Sequence, residues 1–252
     1  MVARWAHNPK VVGSSPAPAT NSAPKTVALF LFMEVLYEDN HLIIVNKAPG
    51  EIVQGDKTGD TPLADLVRLY IKEKYNKPGN VFCGVVHRID RPVGGLVIFA
   101  KTSKALERLN KMLREGNIHK TYWALVEGFP VKDKDTLRNF LKSNGNLNKT
   151  FISNEKDPDA KESVLNYKTI AKGQNYSLLE IELLTGRKHQ IRAQLSAIGH
   201  PIKGDLKYGA KRSNPDGSIS LLARKISFIH PVSKQPIELE APLPSSFQKF
   251  LS

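Results

Sequence analysis

The stretch His87-Arg88-Ile89-Asp90-Arg91-Pro92-Val93-Gly94-Gly95, followed by Leu96-Val97-Ile98-Phe99-Ala100, decides how this chain is read. It sets one carboxylate between two arginines, turns at a proline and two glycines, and then enters a run apolar enough for a buried strand. A carboxylate beside fixed cations stays ionised, the state that a nucleophile or general base needs. The same pattern also suits an ion pair at the mouth of a strand, so the company Asp90 keeps must decide between the two.

That company lies downstream, in His119-Lys120-Thr121-Tyr122-Trp123-Ala124, in Leu184-Thr185-Gly186-Arg187-Lys188-His189-Gln190-Ile191-Arg192 and in Gly199-His200-Pro201-Ile202-Lys203-Gly204-Asp205. In this order the motifs resemble the RluA-type family of RNA pseudouridine synthases, over nearly everything from about Met33 onward. Two departures stand out. Ile89 replaces the family's usual Leu, a change of branching that an apolar site tolerates. Val93-Gly94 stand where the family commonly has Thr-Ser, which removes two hydroxyls that would brace the loop, at about 1 kcal/mol per hydrogen bond.

The resemblance implies that Asp90 is the catalytic aspartate, that Tyr122 stacks on the uracil ring, and that Arg187 pairs with the carboxylate through its planar fork. It further implies that Arg88, with His87 beside it, enters the space left when uridine is turned out of the RNA stack. His189, Gln190 and Arg192 open a helix whose N-terminus suits backbone phosphate, and Lys203 extends this RNA-binding set. For His189 and Gln190 a structural hydrogen-bonding role is an equal alternative. The reaction is an isomerisation, so no cofactor is expected. In agreement, the chain has neither a GxxxxGK[ST] loop nor a dinucleotide GxGxxG. A non-catalytic RNA-binding protein on the same fold is the competing reading.

Composition bounds the partners. With 252 residues, 40% of them apolar, the chain has enough material for a sizeable core, and its formal charge of +13 points to a polyanion. Seven cations between Thr185 and Arg212 stand against one acid, Asp205, beside the candidate site. This favours RNA, ribosomal or transfer, over a membrane surface. Cys83 is the single cysteine, which excludes an intramolecular disulfide and suits a reducing cytoplasm. The seven histidines form no HExxH and no Cys-His cluster, so no metal is expected. A monomer is expected.

Residues 1–32 carry three cations and no acid and are rich in Pro, Ser and Ala. They are expected to be a disordered or spurious N-terminal extension, since their composition is that of a disordered tail and Gly13-Ser14-Ser15-Pro16 can be encoded by the T-arm consensus of a transfer RNA gene; a basic RNA-binding arm is the alternative. Taking those three cations from +13 leaves +10, so the charge argument survives. Residues 33–252 are expected to form the catalytic domain, with no S4 domain ahead of it.

Within that domain Leu42–Val45, Leu96–Ala100, Tyr122–Val126, Ser163–Ile170, Tyr176–Leu184, Arg224–Ile229 and Ile237–Ala241 read as strands. Helices are predicted after a Thr61 cap with Pro62 at the first position, after Thr102-Ser103, and after Thr185-Gly186 with Ile191, Leu195 and Ile198 inward. Lys142–Asp159 reads as a hairpin tip or mobile loop. The fold class is α+β, a mixed and largely antiparallel sheet with flanking helices, and the resemblance implies the pseudouridine synthase fold with a central active-site cleft.

Overall fold

Every residue of Gly94–Ala100, here β4, is buried, so this strand needs neighbours on both edges and cover on both faces. The computed structural model, which describes residues 33–251, supplies both. The expectations for residues 1–32 lie outside the described residues.

The remaining strands are β1 (Glu34–Glu38), β2 (Leu42–Lys47), β3 (Gly84–Val85), β5 (Ile118–Glu127), β6 (Lys134–Asn144), β7 (Lys149–Ser153), β8 (Lys161–Lys172), β9 (Tyr176–Leu183), β10 (Leu221–Ile229) and β11 (Pro236–Glu240). They form one 11-stranded sheet in the order β1-β2-β4-β10-β5-β9-β8-β6-β7, with β11 added on β10 and β3 on β4. Among the described residues only the β10–β4 pair is parallel. The sheet is therefore mixed and largely antiparallel, as the hairpin-linked strands predict.

Among the described residues four helices cover it: α1 (Leu63–Lys74), α2 (Ser103–Arg114), α3 (Gln190–Ala197) and α4 (Ser245–Leu251). One face packs Leu63, Val67 and Ile71 of α1 and Ile191 and Leu195 of α3 against Val97, Tyr122, Ile181 and Ala223. The other packs Ala105 and Leu109 of α2 and Phe247 of α4 against Ile44, Leu96, Ile98 and Leu222. Full burial of one such Leu or Ile stabilises by about 1.5 to 3 kcal/mol, which is why the apolar stripes set the layer order.

Several sequence expectations need correction. Thr61 does not cap α1: the helix begins at Leu63 after Pro62, with no side-chain cap. Its first N–H groups are met by another segment, Leu63 N–H donating to Ile52 O and Ala64 N–H to Val53 O, so a capping hydroxyl has no donor left to serve. Ile198 is 38% exposed because it follows the last turn of α3. Strand β6 is longer than its hairpin tip suggests, pairing with β8 from Lys134 to Leu141 and with β7 from Phe140 to Asn144. The Thr102 cap is as expected, its side chain accepting from Ala105 N–H at 3.1 Å.

The rung that bears on function runs Gly95, Ala223, Tyr122, Ile181 across β4, β10, β5 and β9. Gly95 has φ +114°, and a Cβ there would lie 2.4 Å from Ala223 O, so only glycine fits. Two small residues thus separate Tyr122 from the strand that follows the Asp90 turn, a distance of two strand spacings, about 10 Å.

Candidate active site

Asp90 sits in the turn between β3 and β4, and the backbone there is pinned from three sides. Val93 N–H donates to Asp90 O at 3.0 Å, Gly50 N–H to Arg91 O at 2.8 Å, and Ile219 N–H to Pro92 O at 3.1 Å. Lys47 adds a fourth tie: its buried ammonium donates to Ala48 O, Glu51 O and Arg91 O at 2.8, 2.8 and 3.2 Å. Burial pushes that ammonium down to about 8, while Glu51 and Asp90 pull it back up. These bonds hold the turn without the two absent hydroxyls. Val93, 2% exposed, occupies the core instead.

The cation that meets Asp90 is Arg192. Its Nη1 donates to Asp90 Oδ2 at 3.1 Å, while Nε and Nη2 donate to Asp205 Oδ2 and Oδ1 at 2.6 and 2.8 Å. The guanidinium thus bridges a buried carboxylate and a more open one. Burial works against its charge, but the hydrogen bonds and charges of Asp205 and Asp90 outweigh this and raise its pKa. Asp205, 1% exposed, is the anchor that aims the fork.

Arg187 does not hold Asp90, contrary to expectation: it is exposed, and its Nε donates to Glu162 O at 3.1 Å. It lies in the turn before α3, whereas Arg192 is in the first turn of the helix on its buried side. The flanking arginines are elsewhere too. Arg91 pairs with Asp60 at 2.7 Å, and exposed Arg88 lines a cavity of about 520 Å³ with Gln54, Asp65, Arg68, Cys83 and His87. Burial pushes the Cys83 thiol up to about 12, so it stays protonated and inert.

Most of the expected RNA-binding residues turn inward. His87 Nε2 accepts from Ile98 N–H at 3.2 Å, and burial with the charge of Lys120 pushes its pKa down to about 3. Gln190 Oε1 accepts from Arg187 N–H at 3.0 Å and its Nε2 donates to Val164 O at 3.1 Å, a structural brace between α3 and β8. His189, also buried, directs Nε2 to within 3.6 Å of Asp90 Oδ2 and Nδ1 to within 2.9 Å of the Tyr208 hydroxyl. Its φ of 52° is left-handed, a conformation costing on the order of 1 to 3 kcal/mol that surrounding contacts must offset. Lys203 stays partly exposed, its ammonium 5.0 Å from the Tyr176 ring centroid. No local pattern marks a site role for Tyr208 or Lys47; for Asp205 the available signal is a lone acid among seven cations.

Tyr122 lies on β5, 7% exposed. Burial, and then the negative charge of Asp90, raise its phenol above the ordinary range, so the hydroxyl keeps its proton at neutral pH.

The arrangement sets a carboxylate held by a bridging arginine on the same sheet as a buried tyrosine. The profile of the RNA pseudouridylate synthase family matches residues 41–197. The chain belongs to that family. It is accordingly an isomerase that converts uridine in RNA to pseudouridine. Ribosomal large subunit pseudouridine synthase D of Zymomonas mobilis is 32% identical over 243 residues, covering 92% of this chain and 74% of that protein. Ribosomal large subunit pseudouridine synthase C of Buchnera aphidicola is 34% identical over 225 residues, covering 86% and 69%. Among solved structures, human RNA pseudouridylate synthase domain containing 4 superposes with a TM-score of 0.74 at 21% identity, covering 90% of this chain and 94% of that one, a likeness of fold. Among the described residues no helix is long and apolar enough to cross a membrane.

Proposed function

We propose that this chain isomerises a specific uridine of large-subunit ribosomal RNA in the cytoplasm, as a monomer, with Asp90 as the reacting group. The observation that carries the assignment of roles is the Arg192 bridge: one guanidinium bound to buried Asp205 and presenting a single N–H to Asp90. It orients the carboxylate while leaving its other oxygen for the ribose. In the reaction the ribose–N1 bond breaks, the ribose–C5 bond forms, and the proton lost from C5 is balanced by one gained at N1. Asp90 acts on the ribose, either by attack at the anomeric carbon or by taking the neighbouring sugar proton, and both routes need it charged.

Tyr122 supplies the face on which the uracil rests as it turns. Arg88, exposed two residues before Asp90, fills the place of the extruded base. The ribosomal choice rests on the names of the relatives in Zymomonas and Buchnera, and the basic stretch around Lys203, Lys207 and Lys211 suits the phosphates of a structured RNA.

Mapping pseudouridines in RNA from a strain lacking the gene tests this reading. The expected result is loss at one or a few large-subunit uridines, restored by the wild-type chain and not by Asp90→Asn. A ribosomal map that does not change, or one restored by Asp90→Asn, contradicts it.

A further inference from the structure

His189 stands between Asp90 and Tyr208, and the hydrogen bonds around it dictate where its proton sits. Thr150 N–H donates to the Tyr208 hydroxyl oxygen at 2.8 Å, from the edge strand β7. That oxygen has one proton of its own to give, and the ring nitrogen 2.9 Å away, His189 Nδ1, is there to accept it. If Nδ1 carried the proton instead, the buried hydroxyl proton would lose this acceptor. The far side of the ring agrees: Nε2 faces Asp90 Oδ2 at 3.6 Å, where an N–H is attracted and a lone pair repelled.

We propose that Tyr208 is a positioning residue that fixes His189 as the neutral tautomer with Nδ1 accepting, so that Nε2–H points its uncharged dipole at Asp90 across 3.6 Å, beside Arg192. This rests on the reading of Asp90 as the reacting group. The benefit lies in what is withheld. A protonated His189 would add a second cation and draw the carboxylate into a closed ion pair, whereas the neutral ring helps to orient it and leaves the charge balance with Arg192.

The groups facing His189 keep it neutral. Arg192 from α3, Lys188 from the preceding turn and Lys207 from the 3-10 helix Leu206–Tyr208 all oppose a further positive charge, and only Asp90 favours one. Burial is the largest influence, and together these push the imidazole down to about 4. The Tyr208 ring itself is held by the Arg192 guanidinium at 4.9 Å and the Lys149 ammonium at 5.1 Å, so its hydroxyl has little freedom to turn away.

Nitrogen-15 NMR of the imidazoles in the wild-type chain reads the tautomer directly, with the His189 signal assigned by its loss in His189→Gln. The expected pattern at pH 7.5 has Nε2 protonated and Nδ1 bare, with no titration down to about pH 5. Tyr208→Phe removes the proton that Nδ1 accepts but leaves burial and the three cations in place, so the imidazole should stay neutral and lose its fixed tautomer, showing a mixture of Nδ1–H and Nε2–H. Single-turnover conversion by Tyr208→Phe should fall about fivefold at pH 7.5 with RNA affinity preserved. An Nδ1–H tautomer in the wild type, or an Nε2–H tautomer unchanged in Tyr208→Phe, overturns the proposal. Activity surviving in Asp90→Asn would instead overturn the reading on which it rests.

Discussion

Two aspartates in this fold face a buried histidine from equally exposed positions, and they differ in how much of the carboxylate is already spoken for. Asp39 and Asp90 are each 28% exposed at the side chain. Asp39 Oδ1 accepts from His41 N–H at 2.7 Å and Leu42 N–H at 2.8 Å, while Oδ2 accepts from the Tyr37 hydroxyl at 3.2 Å and lies 2.9 Å from His230 Nε2. Asp90 Oδ2 meets Arg192 and faces His189, but among the described residues no hydrogen bond reaches its Oδ1. Solvent access is the same in both, so commitment separates them. The saturated carboxylate ties the β1–β2 turn to the β10–β11 turn, and the half-committed one keeps an oxygen for a substrate.

The largest expected effect follows from that contrast. Asp90→Asn should cut single-turnover conversion by about a thousandfold or more with melting nearly unchanged, because the charge is lost while the shape is kept. Asp39→Asn should do the reverse, holding turnover within about twofold and costing on the order of 1 to 2 kcal/mol of stability. Comparable loss of turnover in both variants would erase the distinction.

A second effect concerns the histidines held neutral. In the unfolded chain His87 titrates near 6.5, whereas in the fold it takes a proton only near 3. Unfolding therefore takes up a proton between these values, and stability is full above about 6.5 and falls as the pH drops through this window. At pH 5 the loss from His87 is about 2 kcal/mol, and His189, pushed down to about 4, adds to it. Denaturant unfolding at pH 7.5 and pH 5.0 should show this fall, and His87→Gln should flatten it. An identical pH dependence in that variant would rule His87 out as the source.

The smallest effect is electrostatic and diffuse. Lys203→Gln, Lys207→Gln and Lys211→Gln together should reduce the log–log salt slope of RNA binding by about 2 to 3, at roughly 0.7 to 0.9 per phosphate contact. A slope that does not move would place the RNA track on another face.

The sheet class, the Asp90 turn and the Tyr122 strand are legible in the sequence because each rests on a local pattern: an apolar run after a Pro-Val-Gly-Gly turn, or alternation along a strand. Gly95 was visible as a glycine, though not as one pressed against Ala223. Strand β6 went unread because its inner face is sparse. Only Leu137 and Leu141 are buried, four residues apart, among charged and polar neighbours, so neither period of two nor an apolar run survives. The choice between Arg187 and Arg192 was also out of reach. Both lie in one motif, and which of them faces Asp90 depends on where α3 begins, a boundary set by the Gln190 brace to β8. The three-body tie of Asp90, Arg192 and Asp205 joins residues 102 and 13 positions apart, which no local pattern encodes.

That tie is best tested by measuring single-turnover conversion for Arg192→Lys and Arg187→Ala side by side, on RNA carrying the mapped uridine, at a temperature where melting shows both variants folded. Lysine keeps the charge but not the fork that bridges Asp205 to Asp90, so Arg192→Lys should slow conversion about a hundredfold with RNA affinity nearly preserved. Arg187→Ala should stay within about threefold of wild type, since its fork reaches only a backbone carbonyl. A crippled Arg187→Ala beside a near-normal Arg192→Lys would mean that the exposed arginine, and not the buried bridge, orients the reacting carboxylate.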